Sequence, residues 1–427
     1  MNILMLTNTF TPHVGGVARS VESFTSAYRR RGHRVVVVAP TFEGAQEEPD
    51  VVRIPAIQNF NGSDFSLPVP MPGLLTTMLA EAPPDVVHSH HPFLLGDTAL
   101  RVGAAYSVPV VFTHHTLYDQ YTHYLASDSP TLQRIAIDIA TGYCNLCHGI
   151  VAPSESVATM LSQHGVEVPI EIIPTGVEAE RFGKGDGADF RRKLEIPKRA
   201  IVVGHLGRLA PEKNLAFLAE AVARFVRGRD RAYFLVVGSG PMEGEITSIF
   251  EQHDLSDRLR LAGQRCGDEL TDAYHAMDVF AFASQTETQG MVVTEAMAAG
   301  LPVVAVDAPG VRDVVEDGRN GRLLAAEDAD EFAAALAELV EAPAKRRRQL
   351  AASIRTTVEH FSLEQCAARA LAFYERLQAV VPHVKPTEDS AWAAALRWIE
   401  EELKIIAHHA KAVGGALVAT TSPDEDA

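Results

Sequence analysis

Cysteine and tryptophan are nearly absent: the 427 residues hold 4 Cys and 2 Trp. So few cysteines exclude a disulfide-stapled scaffold and suit a reducing cytoplasm. Positive charge is also short, with Lys+Arg 38 against Asp+Glu 55 and a net charge of -17. That deficit excludes a general nucleic-acid binder, which needs a basic footprint. Lysine is missing altogether ahead of Lys184. No apolar run approaches the roughly 18 residues of a spanning helix, so any membrane contact is expected to be peripheral. The opening MNILMLTNTF has no basic residue before its apolar stretch and reads as a first strand, not a signal peptide. A hydrophobic content of 47% with 22% charged residues excludes wholesale disorder. At roughly 150 residues per domain, the length predicts two or three domains.

What is present is a strand–helix alternation, told twice. NILMLT, RVVVVAP, DVVHSHH, VPVVFTHH, GIVAPS and IEIIPTG are continuous apolar runs with helical spacing between them. Unbroken apolar runs are the mark of parallel strands covered on both faces. The pattern restarts with IVVGHLG, YFLVVGSG, LRLAG, VFAFAS and PVVAVDA. The fold class is therefore α/β, with two doubly wound, Rossmann-like parallel-sheet domains. The boundaries fall at 1–182, a glycine-rich linker at 183–198, and a second domain at 199–360. Ligands of such sheets sit beyond the carboxyl ends of the strands, so a cleft between the domains is expected there.

The residues that could carry chemistry lie at those strand ends. Glu287 falls in the loop after VFAFAS, and Glu295 is placed eight positions on, in the next helix. Gly290, Met291 and Val292 open that helix, where exposed N–H groups and the macrodipole favour a phosphate. A carboxylate accepts paired hydrogen bonds from vicinal hydroxyls, so two such acids could grip two sugars flanking a diphosphate. Arg208 and Lys213 form a cation pair in a loop after a strand, able to hold a diphosphate and stabilise it as a leaving group without a metal. Gly240, in GSGP, turns into another helix start. Gly15 and Gly16 do the same after the first strand. Histidine is concentrated in the first 180 residues, which hold 10 of the 17. His13, His88, His90, His91, His114 and His115 all follow strands.

These motifs carry a resemblance. R-x4-K, GSGP and E-x7-E within QTETQGMVVTEAMAAGLPVVA resemble the retaining family-4 glycosyltransferases of GT-B fold. PHVGGVAR, THHT and IPTGV fit the same family, and the likeness runs from about residue 1 to 380. The resemblance implies that Arg208 and Lys213 bind the donor diphosphate, Glu295 the ribose and Glu287 the transferred sugar. It implies that Gly16 approaches the diphosphate across the cleft, that His115 sits at the transferring sugar, and that residues 361–380 cross back to the first domain. No metal or cofactor is implied; the nucleotide sugar is a substrate. THHTLYDQYTHY and HSHHPFLLG are similar to the bacterial lipid glucosyltransferases acting on diacylglycerol. That likeness points to UDP-glucose as donor and a lipid acceptor met by His13, His91, Tyr118, Tyr121 and Tyr124. It also places the protein peripherally on the cytoplasmic face of the inner membrane. A soluble acceptor, a sugar-nucleotide epimerase or hydrolase on the same frame, and a non-catalytic sensor are the competing readings.

Four features have plainer explanations. Cys144-x-x-Cys147-His148 spells a haem-attachment pattern, but it ends a helix leading into a core strand and reads as a buried pair. His88, His90 and His91 lack companion ligands at zinc spacing. Asp328-Ala329-Asp330 opens a helix, where acids cap. Arg29, Arg30, Arg31 and Arg34 end another helix, where cations suit the dipole; anionic lipid headgroups are the alternative. Over 388–414 an amphipathic tail helix is expected. Its Trp392, Leu396, Ile399, Leu403, Ile406, Ala410 and Val413 recur at heptad spacing. The tail could dock on the body, form a homodimer or lie on a membrane. Glu400, Glu401 and Glu402 favour the first two.

Overall fold

A computed structural model describes residues 1–13, 15–57, 67–68, 79, 82–117, 130–381 and 390–421. They form two compact units, Met1–Thr175 with Cys366–Ala427, and Gly176–Gln365. The chain therefore passes between units twice, the second time within the helix Leu363–Val380.

The first unit is built on β1 (Asn2–Leu6), β2 (Arg34–Pro40), β3 (Val51–Ile54), β4 (Val86–Ser89), β5 (Val110–Thr113), β6 (Gly149–Ala152) and β7 (Ile170–Ile172). All seven are parallel, in the order β3-β2-β1-β4-β5-β6-β7. Val35–Val38 and Val86–Val87 are buried on both pleat faces, which is why these runs are apolar without alternation. The helix Gly16–Arg30 turns Ala18, Val21, Phe24 and Tyr28 inward. At its end Arg29 donates to the Val35 carbonyl at 2.8 Å and Arg34 pairs with Asp50, so part of the arginine cluster is tied to the chain itself. Cys144 and Cys147 are buried free thiols, pushed up by burial, and His148 Nδ1 accepts the Val110 N–H.

The second unit repeats the plan with β8 (Ile201–Leu206), β9 (Ala232–Val237), β10 (Leu259–Leu261), β11 (Val279–Phe282), β12 (Val303–Val306) and β13 (Gly321–Leu324). Its order is β10-β9-β8-β11-β12-β13, again all parallel. In each unit the strand order reverses beside the first strand, and such switch points are where open α/β sheets bind ligands. One face packs Leu218, Val222 and Phe225 with Phe332 and Leu336. The other packs Phe280 and Phe282 with Tyr274, Val293 and Met297.

Two expectations change. The stretch 183–198 is no loose linker but part of the second unit. It holds the helix Gly187–Lys193, capped by Asp186 accepting the Asp189 N–H at 2.9 Å. Its glycines serve close packing rather than flexibility: a Cβ on Gly187 would lie 2.0 Å from the His275 carbonyl oxygen. The tail helix, Ser390–Thr421, docks on the first unit's helices Leu95–Tyr106 and Pro130–Leu146, but not through its heptad seam. Ile405 and Ala412 are buried there, while Ile399, Leu403 and Ile406 are exposed. Arg101 grips Glu402 through two bonds of 2.5 and 3.1 Å, and His408 Nε2 meets the Ile139 carbonyl. Polar anchors on the body, invisible to a periodicity count, select the face that docks. The side chains of Trp392, Leu396 and Val413 lie outside the described residues.

Asp328 accepts the N–H groups of Asp330 and Glu331 at 2.9 and 3.0 Å, so this acid pattern is a helix cap. Asp328→Ala should lower stability by about 1 kcal/mol in urea unfolding, and Asp328→Asn should restore most of it.

Candidate functional site

In the second unit, the loop after β8 holds Arg208 and Lys213, the loop after β11 holds Glu287, and the turn after β9 holds Gly240. Lys213 closes a short 3-10 turn, Pro211–Lys213. Its Nζ donates to Glu287 Oε1 at 2.6 Å, across 74 positions of sequence. Both side chains are largely buried, at 15% and 17% exposure. Burial would push the Glu287 carboxyl up. The Lys213 ammonium, with hydrogen bonds from Lys213 and Ser284, outweighs this and holds the carboxyl below its ordinary value. His205, next to the end of β8, is close enough to feel both charges. Burial pushes its imidazole down to about 4, so it stays neutral while stacked on Phe280 and Phe282. Arg208 donates to Glu212 Oε1 at 2.6 Å and is itself more than half exposed.

The backbone around these side chains is tightly folded. Gly240 has a φ of 155°, and a Cβ there would sit 2.3 Å from the Leu209 carbonyl oxygen. Leu209 donates its N–H to the Ser239 carbonyl and accepts that of Met242, which locks the Arg208 loop onto the GSGP turn. Gly310, unremarked in the sequence, supports the Glu287 loop: a Cβ would lie 2.8 Å or less from each of three backbone atoms of residues 287–289. Gly290 caps the helix Met291–Ala298 from the left-handed region, with no side-chain cap and no acid in the first turn. Met291 and Val292 thus begin a helix whose start suits an anion. Glu295 is buried on that helix, and Tyr274 donates to its Oε2 at 2.8 Å. Tyr274, His205 and Ser284 escaped sequence reasoning because they read as core residues.

In the first unit, Gly15 caps the helix that Gly16 begins, again with no side-chain cap and no first-turn acid. A Cβ on Gly16 would meet no atom within 4 Å among the described residues, so packing against them does not require glycine there. His13 stacks on Phe42. His88 in β4, His90 just after it and His115 after β5 form one cluster. His88 Nδ1 meets the Tyr374 hydroxyl at 2.5 Å, and its Nε2 meets Thr113 Oγ1 at 2.7 Å. Tyr374 reaches Tyr28 in turn. His90 stacks between His88 and His115, with its Nδ1 2.9 Å from His115 Nε2. Burial pushes every imidazole in this group well down, so the cluster is neutral at physiological pH. His91 accepts the Asn8 N–H, and Asn8 reaches the Phe93 carbonyl and the Leu95 N–H, which fixes the entry to the next helix. Tyr118, Tyr121 and Tyr124 lie outside the described residues.

Two switch-point sites on two Rossmann-like sheets define the GT-B class. The chain matches the family Glycosyltransferase Family 4 over residues 14–181 and Glycosyl transferases group 1 over residues 186–356. A GDP-mannose-dependent alpha-mannosyltransferase of Mycolicibacterium smegmatis is 31% identical, covering 82% of this chain and 90% of its own. An alpha-monoglucosyldiacylglycerol synthase of Streptococcus pneumoniae is 27% identical, covering 89% and 86%. Among solved structures, Anabaena HepE in complex with UDP shares the fold at a TM-score of 0.68 and 21% identity, over 88% of this chain and 100% of its own. The protein belongs to the family-4 glycosyltransferases.

A buried pair broken on one side leaves a buried charge. Lys213→Met should cost about 3–5 kcal/mol of stability, and adding Glu287→Leu should recover much of it. The pH dependence has a defined sign. Glu287 is depressed when folded, so the pair's contribution is present above the ordinary glutamate range and is lost as pH falls through the folded value. The stability gap between wild type and Lys213→Met should therefore be widest near neutrality and narrow on acidification, measured by urea midpoints across pH. A gap independent of pH would contradict the pairing.

Proposed function

We propose that the protein moves glucose from UDP-glucose to a diacylglycerol-type lipid, with retention and without a metal, on the cytoplasmic face of the inner membrane. The observation that carries this reading is the buried Lys213–Glu287 pair, in a family-4 chain, on the loops that flank an uncapped helix start. In the proposal, Arg208, Lys213 and the N–H groups at Gly290–Val292 receive the donor diphosphate. They stabilise the charge that grows on it as the anomeric carbon becomes oxocarbenium-like. Glu287 accepts hydroxyls of the transferred sugar and Glu295 those of the ribose. On the first unit, Gly15 and Gly16 offer a second helix start, and neutral His115 donates or accepts at the sugar. The acceptor hydroxyl attacks from the leaving-group side and a phosphate oxygen takes its proton, which preserves the anomeric configuration. Cations of the chain supply the electrostatic stabilisation that a metal gives elsewhere.

The lipid acceptor is supported by the Streptococcus pneumoniae relative, whose name places it on diacylglycerol. His13, His91 and the tyrosines Tyr118, Tyr121 and Tyr124 are its proposed contacts. Among the described residues no helix is long and apolar enough to cross a membrane, which is compatible with peripheral work at its surface. The Mycolicibacterium smegmatis relative, GDP-mannose-dependent by name, favours GDP-mannose as the second donor to try.

The test is label transfer by the full chain from UDP-glucose or GDP-mannose to micellar diacylglycerol, with and without EDTA. Glucose label should enter the organic phase, unaffected by EDTA, as the α-anomer. Glu287→Gln should reduce turnover by about 100-fold or more. Transfer from GDP-mannose alone would reassign the donor. Label that stays aqueous, or sugar freed without acceptor, would overturn the lipid reading.

A further inference from the structure

We infer that the exposed stripe of the tail helix is the surface by which the protein lies on an anionic bilayer. The inference deepens the lipid-acceptor reading and rests on it: an enzyme whose acceptor resides in a bilayer must meet that bilayer with some part of its surface.

The first observation is where apolar surface remains. Ile399, Leu403 and Ile406 are 49%, 63% and 55% exposed. With exposed Ala410 they recur at 4-3-4 spacing, a single stripe on one helix. Large apolar side chains left in water along one face, rather than scattered, mark an interaction surface.

The second observation is the direction of the charges. Three consecutive acids argued against a membrane when only sequence was in view. The structure turns two of them away. Glu402 is held by Arg101, and Glu401 is 13% exposed and bonded to Lys404. Beside the stripe Lys404 and Lys411 are exposed together with Glu400, and Lys404 bridges to Glu400 at 3.4 Å and to Glu401 at 3.3 Å. A stripe of Ile and Leu flanked by lysines is the pattern of a helix lying in a membrane interface. The net charge of -17 sets the rest of the protein against an anionic surface, so local lysines and apolar insertion have to supply the attachment.

The third observation bears on a second copy as occupant. A coiled-coil partner is selected by charges that flank the seam. On one flank those residues are Glu402 and His409, and both are engaged inside the first unit, Glu402 with Arg101 and His409 with Asp97 at 3.7 Å. The flank that would select a partner helix is spent on docking the tail.

The experiment is flotation of the full chain with unilamellar vesicles of phosphatidylcholine alone and of phosphatidylcholine with an equal part of phosphatidylglycerol. The wild type should float with the anionic vesicles, and less so at high salt. Leu403→Glu with Ile406→Glu should reduce flotation by about tenfold or more while leaving the thermal midpoint and transfer to micellar diacylglycerol unchanged. Three results would overturn the inference: no flotation by the wild type, equal flotation by the variant, or a dimer in sedimentation equilibrium that the variant converts to monomer. Failure here is separable from failure of the proposed function. A wild type that transfers glucose to micellar diacylglycerol without floating sinks this inference alone; one that floats but glycosylates no lipid sinks the acceptor reading alone.

Discussion

A buried charge must be answered by another, and in the second unit this constraint ties a lysine after β8 to a glutamate after β11. The 2.6 Å Lys213–Glu287 bond joins loops from adjacent strands of the sheet. The loops can carry such a pair because their backbones are locked. Leu209 is bonded both to Ser239 and to Met242, and Gly310 lets the 287–289 backbone approach closely. Buried ion pairs rarely add stability over an apolar core, so their retention calls for another use. Under the proposed function, binding a diphosphate and a sugar would be such a use: both groups would be desolvated and aimed before a substrate arrives, which lowers the reorganisation needed at reaction.

The first unit solves a different problem with neutral groups. His88, His90 and His115 are stacked and bonded to one another or to Tyr374 and Thr113, and burial keeps them uncharged. Tyr374 belongs to the helix Leu363–Val380, so a residue late in the chain completes the support behind β4 and β5. A neutral histidine can donate from one nitrogen and accept at the other, which suits sugar hydroxyls better than a cation.

Most of the fold was legible in the sequence because parallel strands buried on both faces leave unbroken apolar runs, such as Val35–Val38. The Lys213 and Glu287 positions were legible too, through their spacing within strand-ending loops. Their direct contact was not, since no local pattern links residues 74 positions apart. Tyr274 and His205 were hidden because a core side chain and one that orients a site residue look alike in sequence. The linker reading failed because Gly185 and Gly187 suggested flexibility where they permit close packing. The tail was legible as a helix that could dock on the body, but not the face by which it docks. A heptad seam predicts which residues can pack, but the helix is docked by Arg101–Glu402 and His408–Ile139, and the described seam residues Ile399, Leu403, Ile406 and Ala410 face outward.

The most direct measurement is calorimetric binding of UDP and of UDP-glucose to the wild type, Lys213→Met and Glu287→Gln. If Lys213 holds the diphosphate and Glu287 the sugar, the lysine change should weaken both ligands by about tenfold or more. The glutamate change should then spare UDP and weaken UDP-glucose alone. Undiminished UDP binding by folded Lys213→Met would contradict the assignment of this pair to the donor.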